Sequence, residues 1–445
     1  MQCSVQVTVE LADEATVSEM EDAIQEAGWQ AMRAALGQAV RGFEAAHAAC
    51  PHCGGAQSQS QGTVTRRVLT RFGRVTLSVR RQRCASCQRR FRPATGWLAG
   101  LAGGSVTPGL GQACAAVGAH WPYASAAQAL HDLSGAQVSH EELRRWTNRL
   151  GQQAAQAQQA EADDLLRPTA EQVRQERDAA ARAERLGLPL PAPCTPDRLV
   201  VGLDGGWIPS RDQPGGMEGK VGVVATGAEP VGKRGRRRLT PRRYVATFGS
   251  DDDVGALSYA AAARLGGATA REQVVLGDGA AWIKTQADLH FPTAVGVLDW
   301  AHVERALHRA IRAACPGPAH RDQRRELHRT VPELLWRGDL DATLEALRAL
   351  RPSVPHADPV RRLEQAIAYL DGQRAWLGDY AAWQAAGLPI GSGLIERAVA
   401  LVVNRRMKRQ GMRWRRDNAS AVVALRVQHL NASWSEDKVF DPLVA

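Results

Sequence analysis

Two acidic residues follow apolar runs in the middle of the chain, an arrangement typical of metal-dependent chemistry. Asp204 ends the run at residues 199–204, and Asp278 ends a second run at residues 274–278. Acids at the carboxyl ends of neighbouring strands lie where α/β sheets bind their ligands. Their negative charges repel each other unless a cation lies between them. We therefore predict that Asp204 and Asp278 bind a divalent metal ion.

Glu396 is the third acidic candidate, in the segment at residues 391–397. Ser392 is suited to cap a helix N-terminus, which would place Glu396 in the first turns of a helix packed on the sheet. Carboxylate oxygens suit Mg²⁺ or Mn²⁺, and two such ions stabilise the attacking and leaving oxygens of a phosphoryl displacement. Each acid alone has a simpler interpretation, as a turn residue or a helix-dipole partner. Together, Asp204, Asp278 and Glu396 are predicted to be catalytic and to hold two ions.

A mixed sheet is predicted to bring these acids together. Three strands at hairpin-like spacing are followed by strands that alternate with helices, which is typical of a mixed five-stranded sheet covered by helices. The predicted strands are residues 199–204, 220–225, 244–248, 274–278 and 294–299. Residues 301–383 are predicted to be helical throughout. The acidic run at residues 251–253 is interpreted as a solvated turn.

Four cysteines form a separate metal-binding pattern. Cys50 and Cys53 make one C-x-x-C pair, Cys84 and Cys87 make another, and 30 residues separate the pairs. Two residues between thiolates let both sulfurs contact one tetrahedral zinc ion, and the intervening residues alternate like a β-hairpin. We predict a zinc ribbon with one structural Zn²⁺, rather than four unligated core or redox cysteines. Its many arginines favour binding to the DNA backbone, although a role in protein contacts stays open.

A pair of predicted helices follows the cysteine module. Residues 125–133 and 139–150 are separated by Gly135, and Ser139 with Glu142 forms a capping box at the second start. These proportions are those of a helix-turn-helix, and the second helix is the one that would enter a DNA groove. Plain helical packing explains the pattern equally well. The residues predicted to bind DNA on this helix are Arg144, Arg145 and Arg149.

Two basic segments flank the predicted carboxylate site. One links the second and third strands, and the other follows Glu396 and contains Trp414, whose indole is suited to stack on an unpaired base. Charge runs more often form solvated faces, but the position of these two favours DNA contact. The residues predicted to bind DNA here are Lys233, Arg234, Arg236, Arg237, Arg405, Arg406, Lys408, Arg409, Arg413 and Trp414.

The composition agrees with a nucleic-acid-binding protein of several domains. The 445 residues carry a net charge of +10, and 44% of them are hydrophobic, which is enough for a core. No apolar run approaches the ~18 residues of a membrane span, and residues 1–10 lack secretory features, so a cytoplasmic protein is expected. The predicted divisions are a helical segment (1–48), the zinc ribbon (49–97), a helical DNA-binding region (105–150), a linker helix with a Pro-rich boundary (151–196), an α/β core (197–300), a helical region (301–388), closing helices of the core (389–432) and a tail (433–445).

Several sequence blocks resemble those of a known enzyme family. They are residues 202–206, 277–283, 298–302, 389–396 and 404–408. Together they are similar to bacterial insertion-sequence DDE transposases of the ISKra type, within the Mutator-like superfamily. The resemblance covers about residues 49–432 and is strongest from Asp204 onwards.

The resemblance implies an α/β RNase H-like catalytic core with an all-helical insertion at residues 301–388. It also implies a homo-oligomer at the nucleoid that binds terminal inverted repeats, cleaves DNA with Mg²⁺ or Mn²⁺, and transfers the freed strand. Asp299 and His302 resemble the D-x-x-H signature of the superfamily. Either they line the active site and position a DNA strand, or His302 only supports helix packing. A DNA-binding relative, or a nuclease or resolvase that does not transfer strands, is the alternative.

Overall fold

The computed structural model describes residues 3–101, 105–167, 196–231, 236–239, 241–351, 357–391 and 393–431, without the side chains of 228–231, 236–239 and 268. The chain divides into two compact units, one up to Gln153 and the other from Ala154 onwards. Most of the predicted linker at 151–196, and the tail at 433–445, lie outside the described residues. Within those ranges no helix is long and apolar enough to cross a bilayer.

The first unit begins with a long helix and a small sheet. Helix α1 spans Val17–Ala46. Strands β1 (Ser58–Thr70) and β2 (Gly73–Cys84) pair antiparallel, and β3 (Arg90–Phe91) adds a short third strand. Apolar side chains of β1 and β2 pack against Val40 of α1. The predicted hairpin is confirmed.

Four helices follow the sheet: α2 (Thr95–Ala99), α3 (Pro108–His120), α4 (Tyr123–Ser134) and α5 (His140–Leu166). Gly135 ends α4 in the left-handed conformation, with φ 69°, as a glycine cap does. The predicted pair of helices is therefore present, but its second helix and the first part of the predicted linker helix form one continuous helix, α5, that reaches Leu166. Helices α3, α4 and α5 share a core that comprises Leu110, Cys114, Ala126, Leu130 and Leu143.

A five-stranded mixed sheet is the centre of the second unit. Its chain order is β4 (Arg198–Ile208), β5 (Met217–Ala225), a separate ribbon of β6 (Ala228–Val231) and β7 (Arg236–Leu239), then β8 (Arg242–Thr247), β9 (Glu272–Gly277) and β10 (Val295–Leu298). The spatial order is β10-β9-β4-β5-β8. Strands β10, β9 and β4 run parallel, whereas β5 is antiparallel to both β4 and β8. All five predicted strands are confirmed.

Helices cover both faces of this sheet. They are α6 (Asp251–Arg264), α7 (Ala281–His290), α8 (Trp300–Ala314), α9 (Arg321–Trp336), α10 (Leu340–Ala349), α11 (Ala357–Gly372), α12 (Tyr380–Ala385), α13 (Gly393–Val399), a π-helical turn (Ala400–Asn404), α14 (Arg405–Met407) and α15 (Arg416–Asn431). One face packs against α6 to α11, and the other against α13 to α15. Residues 251–253 form the first turn of α6, with Ser250 as its cap, so the solvated turn predicted there is wrong.

Candidate active site

Asp204 and Asp278 lie at the same level of two neighbouring parallel strands. The last paired residues of β4 and β9 are Gly202 and Leu276, and continuing that register by two positions puts Asp204 opposite Asp278. The prediction that a strand ends at Asp204 needs correction, because β4 continues to Ile208 through its pairing with β5. Asp204 instead lies where β9 stops and leaves one side of β4 unpaired.

Asp299 extends this row of acids to the third parallel strand. Gly277 pairs with Leu298 across β9 and β10, so the next position brings Asp299 beside Asp278. The backbone N–H of Asp299 donates to the carbonyl oxygen of Gly277 at 2.8 Å. Its side chain is fully buried and accepts hydrogen bonds from N–H groups in the first turn of α8. Asp299 is therefore a buried helix cap at the same sheet edge.

His302 is fixed by that buried cap. Its Nδ1 forms a short hydrogen bond with the Asp299 carboxylate. This bond raises the pKa of His302 above its ordinary value, against an opposing effect of burial. The positive charge of His302 in turn lowers the pKa of Asp204, so the imidazole lies near the row of acids. With Nδ1 engaged by Asp299, Nε2 is the ring nitrogen that a ligand can reach.

Two glycines of β4 allow α13, which carries Glu396, to approach the sheet closely. A Cβ atom on Gly206 would lie 2.9 Å from Cγ1 of Val399, and one on Gly202 would lie 3.4 Å from Cβ of Ile395. Larger residues at these positions would push α13 away. Alternate residues of a strand share a face, so residue 204 lies between these glycines on the face that α13 covers.

Charge repulsion among the three predicted catalytic acids appears in the pKa of Asp204. Burial of this half-exposed side chain is the largest cause, and the negative charges of Asp278 and Glu396 add to it, while the Gly205 N–H opposes it. The result raises the pKa of Asp204 to about 6. The carboxylate form of Asp204 is therefore destabilised in a way that a nearby cation would relieve.

The donor set fits hard divalent cations. Asp204, Asp278 and Glu396 offer only carboxylate oxygens, which Mg²⁺ and Mn²⁺ prefer, and the charges of Asp278 and Glu396 both raise the pKa of Asp204. The three carboxylates are not drawn tightly together. Among the described residues, only the four cysteines form a group of ligand atoms that all lie within 4.8 Å of one another. The three acids therefore lie in one region at the sheet edge, but their carboxylate oxygens do not form a compact metal-binding cluster in this structure.

Residues from α11 and its end hold the loop that carries Asp278. Gly279 adopts φ 88°, and its carbonyl oxygen accepts a hydrogen bond from Nε2 of Gln373 at 3.0 Å. The hydroxyl of Tyr369 donates to the carbonyl oxygen of Asp278 at 3.1 Å. Burial and then the charges of Asp278 and Asp299 raise the pKa of Tyr369 to about 12, so this hydroxyl stays protonated as a donor. Sequence reasoning missed Tyr369, which lies 91 residues from Asp278 in no recognisable motif.

The four cysteines converge as predicted, within 4.8 Å of one another. The Sγ atoms of Cys50 and Cys87 are 3.7 Å apart, and those of Cys53 and Cys84 are 3.5 Å apart. Sulfurs bound to one tetrahedral zinc ion at ~2.3 Å are separated by about 3.8 Å, so the cluster is compatible with structural Zn²⁺. Backbone N–H groups of Cys87 and Ser86 lower the pKa of Cys84 and so favour its thiolate. For Cys53 the backbone N–H of Gly55 lowers the pKa, but hydrogen bonds with the Cys84 and Cys87 thiols raise it to about 11.

The predicted DNA-binding residues differ in their exposure. Arg405, Lys408, Arg409 and Arg413 are exposed, as are Arg145 and Arg149 on α5. Arg144 is half-buried and bound to Glu141 by two hydrogen bonds. Lys233 and Arg234 lie outside the described residues, and Arg236 and Arg237 lie in β7, whose side chains are not described.

The structure corrects the predictions for Arg406 and Trp414. Both side chains are buried, with the Arg406 guanidinium 5.0 Å from the centre of the Trp414 indole. The indole N–H of Trp414 donates to the carbonyl oxygen of Met407 at 3.2 Å. Neither side chain is available to DNA. The exposed indole of this region is instead Trp207, which is 56% exposed on β4 and which sequence reasoning missed.

Neither a scan against protein-family models nor a search of curated proteins finds a match for this chain.

Proposed function

We propose that this protein is a DDE-type DNA transposase, an enzyme that cleaves DNA at the ends of an insertion sequence and transfers the freed strand. One observation carries the proposal. Asp204 and Asp278 stand at the same level of two adjacent parallel strands, and the helix of Glu396 packs on the face of β4 that bears Asp204. The order of the acids along the chain agrees with the transposase resemblance of the sequence.

Each part of the site has a role in this proposal. Asp204, Asp278 and Glu396 would hold two divalent cations, Mg²⁺ or Mn²⁺, which would supply charge stabilisation to the attacking and leaving oxygens of a phosphodiester. His302, held through Nδ1 by the buried Asp299, would donate from Nε2 to a phosphate oxygen and orient the strand. Tyr369 would hold the backbone of Asp278 in place and thereby keep the Asp278 carboxylate in position.

The finer assignments belong to the same proposal. The five-stranded mixed sheet would be an RNase H-like core, and helices α8 to α12 would be its insertion. The cysteine module, with one structural Zn²⁺, and the exposed Arg145 and Arg149 of α5 would contact the terminal inverted repeats. A homo-oligomer would hold two transposon ends together, and the protein would work at the nucleoid.

The test is a cleavage assay on a plasmid that carries the DNA flanking the gene, with and without Mg²⁺. The unaltered protein should cut this DNA only with the metal. Asp204→Asn and Glu396→Gln should each reduce the rate by about a hundredfold or more, as loss of charge stabilisation does in other enzymes. Asp288→Asn is the matched control, because Asp288 is an exposed acid on α7, and it should cut at the normal rate.

Joined products distinguish a transposase from a nuclease or resolvase. Transposition predicts new junctions between the element's ends and target DNA, with short duplications of the target. Cleavage without such junctions would support the nuclease alternative. Equal cutting by Asp204→Asn and the unaltered chain would reject the catalytic assignment, and binding without any cutting would support a DNA-binding relative.

A further inference from the structure

An open cavity lies beyond Asp204 on β4, and no role has been assigned to it. Its volume is about 650 Å³, within the range of small-molecule binding sites. Trp207 and the turn after β4 form one wall, and the segment at residues 408–413 forms the other. Lys408, Arg409 and Arg413 contribute three cations to the lining, and none of the described residues that line it is acidic. The cavity therefore combines an exposed aromatic face with a positive wall.

Hydrogen bonds hold the two walls together. The backbone N–H of Trp414 donates to the carbonyl oxygen of Pro209 at 3.0 Å, and that of Arg211 donates to the carbonyl oxygen of Trp414 at 2.7 Å. Nε of Arg413 donates to the carbonyl oxygen of Ser210 at 3.2 Å. The indole of Trp414, directly after residues 408–413, is buried in the core and holds the end of this segment in place. The cavity is thus formed before any ligand binds, which reduces the entropy cost of binding.

We propose that this cavity binds one unpaired nucleotide of a nucleic-acid strand, with its base stacked on Trp207 and its phosphates paired with Lys408, Arg409 and Arg413. Every base has a face that can stack on an indole, and cations lining a groove follow the strand's backbone. An acidic peptide would also meet the cations, but it would not require the flat indole. The ligand's identity as DNA rests on the proposed function.

The cavity lies further along β4 than the proposed carboxylate site. Trp207 follows Asp204 by three residues on β4, a distance of about 10 Å at the usual rise per residue, and alternation places the two side chains on opposite faces of the sheet. The cavity would therefore hold a nucleotide other than the one cleaved at the carboxylates.

The test uses the full chain and a fluorescent single-stranded oligonucleotide of about 16 nucleotides, with a blunt duplex in parallel and no divalent cation. Trp207→Ala should weaken single-strand binding by about 5- to 150-fold, which corresponds to the ~1–3 kcal/mol of one stacked base. Trp207→Phe should restore most of the affinity, because it keeps an aromatic face. Leu289→Ala is the control, since Leu289 is an apolar side chain of α7 that is 63% exposed and lies on neither wall of the cavity, and this variant should bind normally.

The same experiment distinguishes the contribution of the Lys408 charge to binding from that of stacking on Trp207. Lys408→Ala should weaken single-strand and duplex binding alike and lower the salt dependence by about 0.7–0.9 per lost phosphate contact, whereas Trp207→Ala should spare the duplex. An unchanged single-strand affinity for Trp207→Ala, or an equal loss for the duplex, would overturn the nucleotide site. An acidic peptide that binds as tightly as the oligonucleotide and is insensitive to Trp207→Ala would also overturn it.

The proposed enzyme and the nucleotide site fail in different ways. If the unaltered chain cuts no DNA with Mg²⁺ but Trp207→Ala still loses single-strand affinity, the site stands and the enzyme does not. If cutting depends on Asp204 while Trp207→Ala binds the single strand normally, the enzyme stands and this site is rejected.

Discussion

Asp204→Asn should make the metal-free protein more stable at neutral pH. Burial and the neighbouring acids raise the pKa of Asp204 from 3.8 to about 6. A carboxyl whose pKa is higher in the folded state than in the unfolded state destabilises the fold as pH rises between those two values. The full shift is equivalent to roughly 3 kcal/mol at 1.36 kcal/mol per pKa unit. The side chain is only half-buried, so screening by solvent reduces the expected gain to about 1–2 kcal/mol.

Urea unfolding of the full chain, in buffer free of Mg²⁺ and Mn²⁺, measures this effect. The variant and the unaltered protein should have equal free energies of unfolding near pH 4. Above pH 7 the free energy of unfolding of the variant should be higher by about 1–2 kcal/mol. Its amide oxygen can still accept the 2.7 Å hydrogen bond from the Gly205 N–H, so that contact is kept. Added Mg²⁺ should stabilise only the unaltered protein, because a ligand stabilises the state that binds it.

Asp288→Asn serves as the control for a simple loss of charge. Asp288 is exposed, and a surface substitution of this kind should change the free energy of unfolding by less than about 0.5 kcal/mol at either pH. The reasoning is refuted if Asp204→Asn shows no gain above pH 7, or if its gain is the same at pH 4.

Three further predictions concern other parts of the molecule. The purified chain should contain about one zinc ion, and Cys84→Ser should remove it, as measured by elemental analysis; zinc retained by the variant would reject the cysteine site. Gly206→Val should cost about 1–3 kcal/mol and lower the cleavage rate by displacing α13, because even a Cβ at residue 206 would lie only 2.9 Å from Cγ1 of Val399. Gly28→Ala, where a Cβ would meet nothing within 4 Å, should do neither; thermal unfolding and cleavage assays would measure both. Arg426→Leu should cost about 2–5 kcal/mol, because the buried guanidinium donates to two carbonyl oxygens of the π-helical turn; a loss below 1 kcal/mol in urea unfolding would contradict this role.

The sequence predicted the sheet well because each strand has its own local signal. Apolar runs bounded by turn residues identified all five strands, and C-x-x-C spacing identified the cysteine cluster. The extension of β4 past Asp204 was missed because Gly205 and Gly206 resemble a turn. They are instead strand residues that pair with β5. The acids at residues 251–253 were misinterpreted for a similar reason, because an acidic first turn of a helix looks like a solvated loop.

Side-chain exposure was the part that the sequence could not supply. Trp414 and Arg406 belong to a basic run of the sequence. No feature of the neighbouring residues indicates that these two side chains are buried and pack on each other. Trp207 lies in β4 beyond the strand end that was predicted at Asp204, so its exposure could not be anticipated. Tyr369 contacts the Asp278 backbone from a distant helix, and only the tertiary fold brings the two together.

Iron-directed cleavage of the protein's own backbone is the most direct test of a shared cation site. Fe²⁺ bound in place of Mg²⁺, with ascorbate and peroxide, generates radicals that cut the nearest chain segments. We predict cuts close to Asp204, Asp278 and Glu396 together, suppressed by excess Mg²⁺ and lost in Asp204→Asn. Cuts near only one of these residues, or a pattern that Asp204→Asn leaves unchanged, would contradict the account.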